Sequence, residues 1–235
     1  MTKDQILEGM VICIDKPLHW TSFQVVNKVR FELRNAFNLK KLKVGHAGTL
    51  DPLASGLLIL CTGKKTKSIS DIQGQEKTYT GTISLGATTP SYDLETEIDA
   101  IYDTSQISDE SIYATTDQFI GEIQQRPPLF SAIKKEGKRL YEHARAGESV
   151  EISNRSVRIE KFEITKIDMP NIEFEVICSK GTYIRSLAYD FGRALDNGAH
   201  LSTLCRTQIG DFTIEKAWQL DGLIQEIQSP KKITT

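Results

Sequence analysis

Apolar runs and helical periodicities alternate irregularly along the chain. Residues 10–15 (MVICID) form an apolar run before Pro17, and because proline cannot continue a β-ladder, the run predicts a buried strand that ends there. Behind it, apolar residues recur at helical spacing at Val25, Val26, Val29 and Leu33. Thr21 and Gln24 form a capping-box pair. The pattern predicts an amphipathic helix from this pair to about Ala36.

Later segments carry further strand and helix signals. The run at 57–61 (LLILC) predicts a core strand, and apolar residues alternate with Thr and Ser over 78–85, as in a half-buried strand. Ser108 is suited to cap one helix, and Thr182 to cap another with its apolar face within 184–195. Because several strands follow one another, an α+β fold with a mixed, largely antiparallel sheet is favoured over a doubly wound fold.

Composition changes this picture little, whereas the distribution of charge changes it more. The chain has 235 residues with 39% hydrophobic and 26% charged content, typical of one large globular domain or one domain with a small insertion. The net charge is -2, but residues 78–125 hold nine acids and no Lys or Arg, so the remainder carries +7. The cations cluster at Lys40, Lys41, Lys43, Lys64, Lys65, Lys67, Lys134, Lys135, Lys138 and Arg139. Such clusters are either phosphate-binding patches or ordinary solvated faces.

Several classes of protein are not indicated. No apolar run approaches the ~20 residues that span a bilayer, and the first residues, MTKDQILEGM, lack the order of a secretory signal, so a cytoplasmic protein is expected. The four cysteines form no C-x-x-C pair, and the four histidines show no metal-binding spacing. We therefore expect neither a metal nor a cofactor.

The stretch 45–63 (GHAGTLDPLASGLLILCTG) is the most unusual in the chain. It places Asp51 among three glycines and a histidine, at the edge of the predicted core strand. Asp51 before Pro52 could cap a helical turn, or the loop could present one reactive carboxylate to a large partner. A loop for nucleotide triphosphates is not supported, because neither glycine pattern of such loops is present and an acid would repel phosphate.

Four segments resemble, in the same order, the motifs of the TruB family of tRNA pseudouridine-55 synthases. They are GHAGTLDPLASGLLILCTGKKTK, EKTYTG, RPPLFSAIKKEGKRLYEHARAGE and CSKGTYIRSLAYDFG. The likeness runs from about Gly9 to about Leu223 and implies the pseudouridine synthase fold. It also implies a reaction, in which the T-loop uracil at tRNA position 55 leaves its ribose at N1, turns, and rejoins through C5.

The same resemblance implies roles for particular side chains. Asp51 would be the nucleophile or base that starts the reaction, and attack on the sugar, attack on the ring and deprotonation to a glycal all remain open. Arg185, in KGTYIR, would pair with this carboxylate and keep it ionised. Tyr79, in K-x-Y, would be a catalytic residue that stacks on the extruded target base and is a candidate for proton transfer.

The resemblance also implies that other residues contact the RNA or shape the site. His46 would wedge into the T-loop, and Leu204 would cover the pocket. Lys16 would either help to shape the site or have a purely structural role. Residues 124–156 resemble a thumb-like basic insertion, a segment that closes over the T-arm. The stretch KKEGKRLYEHARAG inside it is predicted to be helical. Its cations Lys134, Lys135, Lys138 and Arg139 would contact phosphates.

The resemblance also implies an organisation and a partner. We expect one catalytic domain over residues 1–235 that includes the insertion, without a separate C-terminal RNA-binding domain. The expected partner is the T-arm of tRNA, bound by a monomer without a membrane or a nucleotide cofactor. Two alternatives stay open, namely modification of another RNA, and a non-catalytic RNA-binding protein that refolds tRNA.

Overall fold

The computed structural model describes residues 1–131, 133–135, 137–148 and 150–229. The α-helices are α1 Lys3–Glu8, α2 Ser22–Ala36, α3 Ile69–Gly74, α4 Asp109–Thr116, α5 Leu140–Arg145, α6 Ile184–Ala194 and α7 Leu220–Gln228. The strands are β1 Val11–Lys16, β2 Val44–His46, β3 Ala54–Thr62, β4 Lys77–Leu85, β5 Ala87–Thr88, β6 Ala100–Ile101, β7 Gly121–Gln125, β8 Lys134–Lys135, β9 Lys138–Arg139, β10 Arg155–Asp168, β11 Asn171–Cys178, β12 Ala199–Ile209, β13 Phe212–Thr213 and β14 Trp218–Gln219. The chain divides into two compact units, Met1–Lys77 with Cys205–Thr235, and Thr78–Leu204.

The first unit is built on the strands β14, β1, β3 and β2. β1 pairs antiparallel with β3, from Val11 opposite Cys61 to Lys16 opposite Gly56, and it pairs in parallel with β14. β2 continues the pairing along the outer half of β3. Parallel and antiparallel pairs thus occur together, and the predicted α+β fold with a mixed, largely antiparallel sheet is confirmed.

Strand β3 is buried on both of its faces. Leu58 and Leu60 pack into a cluster with side chains of α1, α2 and α7, whereas Leu57, Ile59 and Cys61 face a second cluster that includes α3. A strand covered on both faces needs apolar side chains at every position. The continuous apolar run in the sequence has this cause, and the predicted core strand is confirmed.

Helix α2 begins and ends where its sequence pattern predicted. The Thr21 hydroxyl accepts a hydrogen bond from the Gln24 amide at 3.1 Å, and the Gln24 side chain accepts one from the Thr21 amide at 2.8 Å. Both bonds satisfy amide groups that have no partner inside the helix. The helix continues to Ala36 with its valines buried against β3.

The short helix α1 is part of the core of the first unit. Thr2 and Gln5 form a capping box, and the Ile6 side chain is fully buried. The Thr62 hydroxyl donates a hydrogen bond to the Ile6 carbonyl at 2.9 Å. Gly63 lies so close to the backbone of α1 that a Cβ at this position would stand 2.1 Å from the Leu7 carbonyl oxygen.

The second unit contains an antiparallel array in which β10 lies between β7 and β11. Its core includes a cluster of aromatic rings around Phe162. The Phe162 centroid lies 5.9 Å from that of Phe174 and 5.4 Å from that of Phe191, both in edge-on geometry. Edge-on contacts place the positive rim of one ring on the negative face of the other.

Two sequence expectations in this unit need correction, and one is confirmed. Ser108 caps α4 as predicted, but Thr182 does not cap α6, because its hydroxyl donates to the Ser179 carbonyl at 3.0 Å and Tyr183 takes the cap position. The predicted helical stretch KKEGKRLYEHARAG is helical only from Leu140. Its first part forms the β8–β9 hairpin, and Glu136 lies outside the described residues.

Across the ranges that the structure describes, no helix combines the length and the apolar character needed to cross a bilayer.

Candidate active site and RNA-contact residues

Asp51 begins a tight turn that leads into strand β3. The Ala54 amide donates to the Asp51 carbonyl at 3.1 Å, which closes a four-residue turn with Pro52 in its second position. Proline suits this position because its φ is already fixed near the required value. The interpretation of Asp51 as a helix cap is therefore wrong, since a strand follows. The carboxylate instead stands at the start of a rigid core strand.

Two neighbouring segments hold this turn in place. The Ser22 hydroxyl, which is buried at the start of α2, donates to the Leu50 carbonyl at 3.1 Å and accepts from the Leu50 amide at 2.8 Å. The His19 amide donates to the Pro52 carbonyl at 2.8 Å. Because both sides of Asp51 are tethered, its backbone is held against α2 and the segment before it.

A buried arginine lies beneath the loop. The Arg206 side chain is 1% exposed. Its Nε donates to the Leu57 carbonyl at 2.8 Å, and its Nη2 donates to the Gly48 carbonyl at 3.1 Å. At Gly48 φ is +102°, so this position favours glycine. Arg206 was not singled out in the sequence, where it stands in an ordinary strand pattern.

Lys16 is a second buried cation of the first unit. Its side chain is fully buried, and Nζ donates to the carbonyl oxygens of Pro17 at 3.0 Å and Trp20 at 2.6 Å. Burial lowers the Lys16 pKa to about 8, whereas the charge of Asp51 acts in the opposite direction and Arg206 lowers it further. Lys16 therefore lies within electrostatic reach of both Asp51 and Arg206.

His46 occupies the end of β2 and is half-buried. Burial is the main cause that lowers its pKa, and Arg206 acts in the same direction, while a backbone hydrogen bond involving Gly48 opposes them. Its neutral form is therefore favoured near pH 7. A neutral, flat ring at a loop edge is suited to pack against a base, and its role as a wedge stays a prediction.

In the second unit, Tyr79 is a buried residue near the start of β4, and Arg185 is the second residue of α6. Only 4% of Arg185 is exposed. Its Nη1 donates to the Ser91 carbonyl at 3.2 Å and its Nη2 to the Phe130 carbonyl at 2.9 Å. A solvent-facing helix residue would make neither bond. The Arg185 side chain is instead held in place by backbone carbonyl groups.

Arg185 also has an acidic neighbour in the same unit. Its Nε lies 3.6 Å from the Asp93 carboxylate, and both side chains are buried. Asp93 was not singled out in the sequence, since it stands in the acidic region 78–125 without a recognisable motif. The pairing of Arg185 with Asp51 stays a prediction.

The remaining predicted residues lie as follows. Leu204 is half-buried in β12. In the hairpin, Lys134 pairs with Arg139 and Lys135 with Lys138, which gathers the four cations of the predicted thumb on one short ribbon. Lys134, Lys138 and Arg139 are exposed, whereas Lys135 donates to the Glu151 carbonyl.

The described part of the chain contains no group of three or more His, Cys, Asp or Glu side chains that could hold a metal ion.

Chains of two solved structures have a similar fold. The chain resembles a chain of a Cbf5-Nop10-Gar1 complex, with a TM-score of 0.72, 31% identity, and coverage of 95% of this chain and 55% of that one. It also resembles a chain of an H/ACA RNP bound to a substrate RNA containing 2'-deoxyuridine, with a TM-score of 0.69, 27% identity, and coverage of 97% and 57%. This chain thus spans little more than half the length of those two. The fold is that of the pseudouridine synthases.

Sequence comparisons give the family. The model of the TruB family pseudouridylate synthase (N terminal domain) matches residues 34–184. The tRNA pseudouridine synthase B of Flavobacterium johnsoniae is 62% identical over 229 residues, which cover 97% of this chain and 100% of the relative. That of Phocaeicola vulgatus is 53% identical over 215 residues, 92% of each chain. The chain belongs to the TruB family of pseudouridylate synthases, as the motifs predicted.

Proposed function

We propose that this enzyme isomerises the T-loop uridine at position 55 of tRNA to pseudouridine. The relatives with 62% and 53% identity carry the name tRNA pseudouridine synthase B, which supports tRNA as the substrate. The observation that carries the proposal is the Asp51 turn, which is tethered on both sides and lies within electrostatic reach of the buried ammonium of Lys16.

The reaction needs one ionised carboxylate. It is an isomerisation, so the substrate and the product contain the same atoms. The N1–C1′ bond breaks, the uracil turns, and a C5–C1′ bond forms; C5 then loses its proton, and N1 carries one in the product. Asp51 starts this sequence as a nucleophile or a base. With a pKa of about 8, Lys16 is mainly protonated at pH 7, so a positive charge stands near the carboxylate.

The other predicted residues have supporting roles in this proposal. Tyr79 stacks on the target base after extrusion, which costs a few kcal/mol in lost stacking. Arg185 keeps the carboxylate of Asp51 charged and oriented. His46 and Leu204 support and cover the extruded nucleotide.

The thumb-like insertion 124–156 supplies phosphate contacts in the same proposal. Its exposed cations on the β8–β9 hairpin support this role, because Lys and Arg contacts to phosphate give affinity and register. We further propose that residues 1–235 act as one catalytic domain, as a monomer in the cytoplasm. Residues 132, 136, 149 and 230–235 lie outside the described ranges.

The test is release of tritium from unmodified tRNA labelled at uracil C5. We expect wild-type enzyme to release tritium, and Asp51→Asn to lose at least about a thousandfold in rate while it still binds tRNA. Asp211→Asn is the matched control, because this exposed turn residue lies in the same unit. Equal release by Asp51→Asn and wild type would remove the role of Asp51.

Two further substrates separate the alternatives. A T-arm minihelix shows whether the T-loop suffices, and a ribosomal RNA fragment tests another RNA. Release from the fragment but not from tRNA would overturn the substrate assignment. Binding of tRNA without release from any substrate would favour the non-catalytic alternative.

A further inference from the structure

A cavity of about 440 Å³ lies within the second unit. Three tyrosines, Tyr92, Tyr102 and Tyr189, contribute to its wall, together with the charged side chains Arg126 and Asp99. Its volume falls in the range of about 300–1,000 Å³ that is usual for ligand sites. Neither Tyr79 nor Arg185 is among the described residues that line it, so the proposed reaction leaves this cavity unexplained.

Two of the tyrosines form a fixed aromatic wall. The rings of Tyr92 and Tyr189 are stacked, with centroids 4.0 Å apart and planes 19° apart. Tyr92 has a φ of +64°, a conformation that is uncommon for residues other than glycine, and its amide donates to the Thr89 carbonyl at 3.1 Å. Strained backbone that holds a ring at a cavity is a recurrent feature of binding sites.

Side chains of opposite charge, Arg126 and Asp99, line the cavity together with these tyrosines. Arg126 is exposed. Burial is the main cause that raises the pKa of Tyr92, and Arg126 lies near enough for its charge to act in the opposite direction. Among the described residues, none forms an ion pair with the Arg126 guanidinium. On another side, the Asp99 carboxylate accepts a hydrogen bond from the Thr88 hydroxyl at 2.6 Å. The cavity therefore combines stacking surface, a cation and a hydrogen-bond acceptor.

A nucleotide presents the complementary chemistry. Its base offers a flat face for tyrosine, its phosphate an anion for arginine, and its base amino group or ribose hydroxyl a donor for a carboxylate. We propose that the cavity binds one unpaired nucleotide of the RNA substrate, separate from the uridine that reacts. This inference rests on the proposed function for its choice of RNA.

The cavity wall is joined directly to the surroundings of Arg185. Ser91 and Asp93, which flank Tyr92 in sequence, supply the carbonyl and the carboxylate that contact the Arg185 guanidinium. The Ser186 hydroxyl donates to the Arg126 carbonyl at 2.8 Å. A nucleotide held against Tyr92 therefore also steadies the loop that surrounds Arg185.

The first experiment removes the stacking surface without backbone strain. Asn tolerates positive φ, so Tyr92→Asn removes the ring at little conformational cost. We expect Kd for unmodified tRNA to rise about tenfold or more, the usual effect of losing one stacked base. Tyr92→Phe keeps the ring and should keep the affinity. Tyr113→Ala, an exposed tyrosine of α4 outside the cavity, is the matched control.

The second experiment tests the phosphate contact. Arg126→Gln should lower the slope of log Kd against log salt concentration by about one, because one fewer counterion is released. Unchanged Kd in Tyr92→Asn together with an unchanged slope in Arg126→Gln would overturn the inference. Titration with uridine or adenosine monophosphate distinguishes the source of the nucleotide. Mononucleotide binding that Tyr92→Asn abolishes without any effect on tRNA would overturn the assignment to RNA.

Failure of this inference and failure of the proposed function are distinguishable. Wild-type enzyme that releases tritium, with variants that bind tRNA equally well, removes only the second nucleotide site. Wild-type enzyme that releases no tritium, with tRNA binding weakened in Tyr92→Asn, supports the site and removes the isomerase proposal.

Discussion

The guanidinium of Arg206 donates to the carbonyl oxygen of Gly48 at 3.1 Å, three residues before Asp51. A second bond, from Nε to the Leu57 carbonyl at 2.8 Å, ties the same side chain to strand β3. One buried cation thus links the Asp51 loop to the strand that follows it. The position of the carboxylate depends on a residue more than 150 positions away in the chain.

Arg206→Met tests this link, because it keeps much of the side-chain length and removes the charge and both hydrogen bonds. The buried carbonyl of Leu57 and the partly buried carbonyl of Gly48 would lose their donor, so we expect the free energy of unfolding to fall by about 2–4 kcal/mol. Tritium release should fall with it, since the loop loses its support. Denaturant titration and the tritium assay measure the two effects.

Arg34→Gln is the control for this change. Arg34 is exposed and its Nε donates to the Leu39 carbonyl at 3.3 Å, so its loss should cost less than about 0.5 kcal/mol. Equal stability and equal activity of Arg206→Met and wild type would contradict the proposed support.

The charge of Asp51 should be measurable through Lys16. Because Asp51 is the largest influence that raises the Lys16 pKa, Asp51→Asn should move this pKa below its value of about 8. Titration of the lysine side-chain signals by NMR measures the shift, and Lys16→Met assigns the signal. Asp211→Asn should leave it in place. A Lys16 signal that titrates identically in Asp51→Asn would argue against their electrostatic contact.

Lys16 should also affect stability in alkaline solution. Its pKa is about 8 in the folded protein, against an ordinary 10.5, so the unfolded chain binds more protons between these values. The contribution of Lys16 to the free energy of unfolding therefore rises with pH from about 8 to about 10.5. Lys16→Met should lack this rise in denaturant titrations across that window. The same slope in both proteins would contradict the lowered pKa.

Asp190 should destabilise the protein at neutral pH. Burial raises its pKa to about 6, against an ordinary 3.8, and the nearby Arg193 only partly opposes this. Its contribution to stability is therefore largest below about pH 4 and falls as the pH rises to about 6. Asp190→Asn should add about 1–2 kcal/mol to the free energy of unfolding at pH 7 and little at pH 4. A variant that is less stable at pH 7, with Asp211→Asn unchanged, would contradict this cost.

The thumb-like insertion should lose local stability as the pH rises. The His143 Nδ1 lies 2.5 Å from the Glu148 carboxylate, and this hydrogen bond is the main cause that raises the His143 pKa. The pair therefore stabilises the segment most below the ordinary histidine pKa and is lost as the pH passes the raised value. Amide hydrogen exchange in α5, corrected for intrinsic rates, should show less protection at pH 9 than at pH 6.

His143→Gln should remove this pH dependence, whereas His19→Gln, in the first unit, should keep it. Equal protection of α5 at both pH values in the wild-type protein would show that the pair does not hold the thumb together.

The sequence predicted those features that depend on neighbours along the chain. The capping box of α2, the apolar run of β3 and the alternation in β4 are local patterns, and the structure contains each of them. Thr182 was misassigned because a hydroxyl at a helix start can serve either the helix or the preceding turn. The local sequence does not say which bond it makes.

What the sequence did not reveal depends on contacts between distant segments. Arg206 lies in a strand pattern that gives no sign of a buried side chain, and its partners Gly48 and Leu57 come from another part of the chain. Asp93 and Tyr92 stand in the acidic region 78–125, where no motif marks either residue. Their contacts with Arg185 and Tyr189 became visible only once the chain was folded.

Helix α1 sets a practical limit for anyone who trims or labels the protein. Because Ile6 fills a place in the core and Thr2 caps the helix, a fragment that starts at Gly9 would leave a hole beneath β3 rather than remove a loose tail. Shortened versions for crystallisation should therefore retain Thr2, and an affinity tag should be joined ahead of it through a flexible spacer.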